Sequence, residues 1–173
     1  MSTSDLYRVS KTSTFHCAEF GNGWGSGPLI WGYLSEKYLN HSWSSSPFDD
    51  KRDLWDLHKD DRVPRCIQLG HLFTFDGAIC PSNKTIELAD ALKETYEITH
   101  TAAPKYVNHF KAIANALRIV PHDKRALGFG LSCTSVSDPW IDWDSDRKHH
   151  REVWDIFTME ILYSPNDKEV NNG

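Results

Sequence analysis

A chain of 173 residues is long enough for one domain that buries about two-thirds of the surface its unfolded form exposes. With 39% hydrophobic and 25% charged residues it has the make-up of an ordinary globular protein, and no apolar run approaches the roughly 20 residues that cross a bilayer. A formal charge of -5 argues against a sequence-independent nucleic-acid binder, which needs a basic footprint to displace counterions from phosphates.

The chain opens Met-Ser-Thr-Ser-Asp, without the basic and apolar regions of a secretory signal. Leu-Tyr-Arg-Val, a polar turn and Phe-His-Cys-Ala-Glu-Phe predict a β-hairpin over 6–20. Four glycines at every second position follow in 21–27, and Pro28 then starts a helix over 28–39 with Ile30, Trp31, Leu34 and Tyr38 on one face. The loop has the look of an anion cradle at a helix start, but lacks the Gly-Lys-Ser/Thr ending of a P-loop and the Gly-x-Gly-x-x-Gly spacing. It reads first as a structural turn, with Trp24 set out between glycines as a contact residue. Residues 48–58 predict a short helix through Leu54, Trp55 and Leu57, inside a run of mixed charge that reads as a solvated face.

Residues 65–76 alternate, with Ile67, Leu69, His71, Phe73 and Phe75 on one side, and predict a strand. Two helices follow, 83–97 and 102–119, the second capped by Thr101 and stopped by Pro121. A further strand, 126–133, sets Leu127, Phe129, Leu131 and Cys133 against Gly128 and Gly130; its bare side is expected to receive a helix. Residues 153–163 predict another strand, with Val153, Phe157, Met159 and Ile161 inward and a helix as the alternative. Residues 164–173 have the composition of a disordered tail. The expected fold is a single α+β domain over 1–163: a mainly antiparallel sheet, a helix pair on one face and a further helix at the edge.

Cys17, Cys66, Cys80 and Cys133 form no Cys-x-x-Cys pair, which fits free thiols in a reducing cytoplasm rather than zinc ligands. Asp142, Asp144 and Asp146 open like a calcium loop, but Arg147 and Val153 stand where the loop needs glycine and glutamate. No metal or cofactor is expected. For catalysis, Cys17 and Cys133 are the thiols, Ser132, Ser135 and Ser137 the hydroxyls, and His71, on a strand beside 126–133, the base that would serve Cys133. No complete catalytic constellation follows, so no catalytic residue is assigned.

Thr134-Ser-Val-Ser-Asp-Pro-Trp140 leaves the 126–133 strand as a polar loop. These seven residues resemble C-terminal segments of small uncharacterised proteins carried by bacteriophages and prophages. The resemblance implies a phage accessory protein acting against a host system, and carries over no catalytic residue. The functional expectation is therefore a non-enzymatic interaction protein, such as an inhibitor of a host defence or nucleic-acid-processing protein. Its contact residues would be Trp24, Thr134, Ser135, Asp138, Trp140, Asp142, Trp143 and Asp144, aromatic anchors bordered by acids that suit a basic protein surface. The alternatives are a small-molecule or nucleotide-sequestering protein using the glycine loop and the bare strand face, and a hydrolase- or transferase-like enzyme with a Cys/His site. Direct nucleic-acid and membrane partners are not expected.

Overall fold

A computed structural model describes residues 3–11, 13–41, 51–75, 77–121, 123–133, 143–144, 149–150 and 152–164, with 51–52, 143–144 and 149–150 described by backbone alone. In chain order the elements are β1 (Thr3–Ser10), β2 (Thr14–Gly21), α1 (Gly27–Tyr38), α2 (Lys51–Asp56), α3 (Arg65–Leu72), β3 (Ala78–Pro81), α4 (Thr85–Ala102), α5 (Phe110–Ile119), β4 (Ala126–Ser132), β5 (Trp143–Asp144), β6 (His149–His150), β7 (Val153–Asp155) and β8 (Ile161–Tyr163). Six strands form one sheet in the order β2-β1-β4-β3-β7-β8, antiparallel throughout except between β3 and β7. The fold is α+β, as expected. Among the described residues no helix is long and apolar enough to cross a membrane.

Alternation along the strands sorts side chains between two faces. Leu6, opposite Leu131 in register, joins Phe129, Ala78 and Cys80 in the large core beneath the helices. Val9, Ile79, Val153 and Tyr163 form a smaller cluster on the other face. The helices supply the rest of the large core. In α5, Phe110, Ile113, Ala114 and Leu117 are buried at the three-and-four spacing of one helical face, each large side chain contributing about 2 kcal/mol. Helix α5 packs on α4 and reaches β2, while α4 also packs on α3 and β3.

The 126–133 strand is confirmed as β4, in the middle of the sheet. Among the described residues no helix packs on its bare side. It is the bulky side, with Phe129 and Leu131, that faces the helical core. A methyl group on Gly128 would lie 2.1 Å from the Cys80 carbonyl oxygen and 3.0 Å from Pro81 Cα, so the glycine lets the backbone of β3 come close. Strand β3 is thereby central in the sheet.

Residues 65–72 of the expected 65–76 strand form a helix, and Asp76 lies outside the described residues. Pro64 leads into α3, in which Cys66, Ile67, Leu69, Gly70, His71 and Leu72 are all buried. Burial on nearly every side removes the polar stripe that marks a helix, leaving an apolar run that periodicity alone cannot assign. Gly70 has Ile30 and Thr95 side chains 3.1 and 3.2 Å from where a Cβ would stand, so α1 and α4 close on α3 at that point.

The helix expected over 102–119 is shortened at its start. Pro104 disfavours helical backbone at the preceding residue, and Ala103 has φ -139 and ψ 61. Helix α4 therefore runs on to Ala102, with the Thr101 hydroxyl donating to the Glu97 carbonyl in its last turn rather than capping α5. The N-cap of α5 is His109, and Asn108 just before it ties the two helices: its Oδ1 accepts from the Phe110 amide at 3.1 Å while its Nδ2 donates to Thr99 Oγ1 at 2.8 Å. Residues 153–163 are two short strands rather than one. Asp155 Oδ1 accepts from the Phe157 amide at 2.7 Å, Met159 turns at φ 64, and β8 returns alongside β7. Val153 and Ile156 are buried, whereas Met159 and Ile161, expected to point inward, are exposed.

Candidate functional site

The glycine-rich loop is a latched turn. Asn22 takes the left-handed conformation at φ 63, which asparagine tolerates better than most residues, and begins the 3-10 turn Gly23–Gly25. Its Oδ1 accepts from the Trp24 amide at 3.3 Å and its carbonyl from the Gly25 amide at 3.1 Å. The Trp24 and Gly25 amides are thus committed to Asn22 rather than open to an anion, and Pro28 has none to offer. Ser26 is buried, its hydroxyl bonded to that of Ser4 on β1.

The residues before α5 fasten this turn from outside. The His109 amide donates to the Gly25 carbonyl at 2.8 Å, and His109 Nε2 donates to the Asn22 carbonyl at 2.9 Å. Phe20 backs the imidazole at a centroid distance of 5.9 Å. Gly25 is required at this joint: a Cβ there would stand 2.5 Å from His109 Cδ2 and 2.9 Å from Val107 Cγ1.

Trp24 stands on the turn with 69% of its surface exposed. Val107, whose methyl abuts Gly25, is 45% exposed, and the adjoining Tyr106 is 53% exposed. Trp24 and Val107 therefore stand exposed at one joint, with Tyr106 next to Val107 in the chain. Trp24 is legible in the sequence from its glycine neighbours. Tyr106, Val107 and His109 are not, because the 3.6-residue spacing draws the first two into the apolar stripe of an over-long helix. Pro104 and Asn108 are the signals that separate them from it.

The remaining expected contact residues are not among those whose side chains are described. Thr134, Ser135, Asp138, Trp140 and Asp142 lie outside the described residues. Trp143 and Asp144 form β5, paired antiparallel with His150 and His149 of β6 in a separate two-stranded ladder; their side chains lie outside the described set, as does Trp43.

The His71/Cys133 pair is not assembled. His71 sits in α3, not on a strand beside β4, and is fully buried between Trp55, stacked at 5.7 Å, and Phe75, edge-on at 4.7 Å. Neither of its ring nitrogens has a hydrogen-bond partner among the described residues, so it makes no bond to Cys133, which packs against the Gly27 position. Burial holds its imidazole well below the usual range, to about 3, with the charge of nearby His58 adding to the effect. All four cysteines are free thiols; burial raises Cys17 and Cys80 and takes Cys66 up to about 11, away from thiolate reactivity. Among the described residues no group of three or more His, Cys, Asp or Glu side chains could hold a metal ion.

No protein-family model, no curated protein and no solved structure matches this chain.

Proposed function

We propose that this protein is a non-enzymatic interaction protein that docks a protein partner through the exposed indole of Trp24, with the exposed Val107 against the same turn. The observation that carries the reading is the 69% exposure of Trp24 on a turn latched by two hydrogen bonds from His109. A large apolar side chain held in place loses little conformational freedom when a partner covers it. Tryptophan in such a position is the residue type most often found to dominate binding. The acidic and aromatic residues Thr134, Ser135, Asp138, Trp140, Asp142, Trp143 and Asp144 are proposed as further contact residues, of a chemistry that suits a basic surface on the partner. An inhibitor carried by a phage, acting in the host cytoplasm on a defence or nucleic-acid-processing protein, fits both the contact chemistry and the free thiols.

The test is capture from a bacterial host lysate with three baits: the wild type, Trp24→Ala, and Ile119→Ala as a control at an apolar side chain 81% exposed on α5. A stoichiometric protein held by the wild type and the control, and lost from Trp24→Ala, is the expected result. A partner that stays with Trp24→Ala contradicts the reading.

A further inference from the structure

The β1–β2 hairpin has a concave surface at its turn end, the opposite end of β2 from Trp24. A groove of about 520 Å³ opens there between the turn and the 123–126 segment, within the size range of small-molecule sites. In a chain of net charge -5, its lining carries three cations, Arg8, Lys11 and Arg125, against one carboxylate, Asp123, among the described residues.

The cations are organised. Arg8 faces Phe15 across the hairpin register, and its guanidinium lies 5.0 Å from the centre of that ring. This contact holds a long side chain in one place, while Phe15 stays 60% exposed. Asp123 accepts from the Arg125 amide at 2.9 Å and from its guanidinium at 3.3 and 3.4 Å, folding Arg125 back toward the groove. The Asp123 carboxyl lies below its usual range because of that amide, then the guanidinium, with a smaller contribution from Arg8, so both arginines act on one locus. The Ser10 hydroxyl bonds the Ser13 carbonyl at 3.0 Å and accepts from the Ser13 amide at 3.1 Å, which fixes the turn bearing Lys11.

We propose that this groove binds a nucleoside polyphosphate, its phosphates on Arg8, Lys11 and Arg125 and its base on the exposed ring of Phe15. Guanidinium groups suit phosphate because their paired N–H donors match its oxygens, and an aromatic ring offers any base a stacking surface. The long, exposed Arg125–Asp123 contacts are of the weak class that a phosphate can displace. The overall negative charge disfavours an extended nucleic acid, whose many phosphates would meet that field beyond the groove.

Calorimetric titration with ADP, adenosine and pyrophosphate tests this. ADP should bind the wild type, more weakly as salt rises from about 0.1 M to about 1 M and the screening length falls from about 10 Å to about 3 Å. The double variant Arg8→Gln/Arg125→Gln should lose about tenfold or more of that affinity, as expected for charged hydrogen bonds. Phe15→Ala should weaken ADP while leaving pyrophosphate unchanged. Matching urea midpoints establish that these variants are folded; Arg125→Gln alone, at an exposed side chain, gives the same comparison should the double variant unfold. Three results would each overturn the proposal: no ADP binding by the wild type at millimolar concentration, equal binding by the arginine variants, or pyrophosphate binding as tightly as ADP with Phe15→Ala silent. Trp24→Ala should bind ADP normally, so failure at one surface leaves the other standing.

Discussion

Replacing His71 with leucine should separate the stability of this protein from pH in the mildly acid range. The imidazole is fully buried between Trp55 and Phe75, and its two nitrogens have no hydrogen-bond partner among the described residues. An unfolded histidine takes up a proton near pH 6.5, whereas burial, followed by the charge of His58, keeps the folded one neutral down to about 3. The folded value is depressed. The imidazole's contribution is therefore constant above about pH 6.5, and stability is lost below it as only the unfolded chain binds the proton. The slope is about 1.4 kcal/mol per pH unit, which gives a loss of about 2 kcal/mol between pH 7 and pH 5. At pH 7 the leucine variant loses ring contacts worth about 1 kcal/mol but no longer buries unpaired nitrogens costing about 1–3 kcal/mol. The two should be close there, and the variant should be the more stable at pH 5. Urea titrations followed by tryptophan fluorescence at both pH values measure this directly. Carboxylates and the other histidines titrate in both proteins, so the difference isolates position 71. If both proteins lose the same stability between pH 7 and pH 5, His71 is not buried as a neutral imidazole and the reasoning fails.

Two further outcomes concern the backbone. Gly128→Ala places a methyl group 2.1 Å from the Cys80 carbonyl oxygen, where only separation of β3 from β4 makes room; a loss of more than about 3 kcal/mol, read as a fall in urea midpoint, is expected. Met159→Gly relieves a left-handed residue at φ 64 in the turn between β7 and β8, and should raise stability by about 1 kcal/mol, read the same way.

The parts of the fold that the sequence discloses are those whose two faces differ. The hairpin over 6–20 has a polar turn between alternating runs, and β4 sets Phe129 and Leu131 against glycines. Helix α3 presents no such contrast, because neighbours enclose it on nearly every side and even His71 is buried. Strand β3 is four residues long and central, so its importance comes from β4 and β7 beside it rather than from its own pattern. Local chemistry overrides periodicity in two other places. Pro104 ends α4 where the apolar stripe continues toward Val107, and the Asp155–Met159 turn breaks a β-branched run into two strands. For the candidate site the same division holds. Trp24 stands out between glycines, while His109, which fastens its turn, lies 85 residues further along and meets it only through the packing of α5 beside β2.

The most direct test of the account is the equilibrium affinity of the captured partner for the wild type and for Trp24→Ala. Covering an indole 69% exposed removes at most about 170 Å² from water, worth about 4 kcal/mol as an upper bound. A loss of about 2–4 kcal/mol, roughly 30- to 1,000-fold in Kd, is therefore expected, with a urea midpoint unchanged from the wild type. An affinity within twofold of the wild type would contradict the claim that Trp24 anchors the contact.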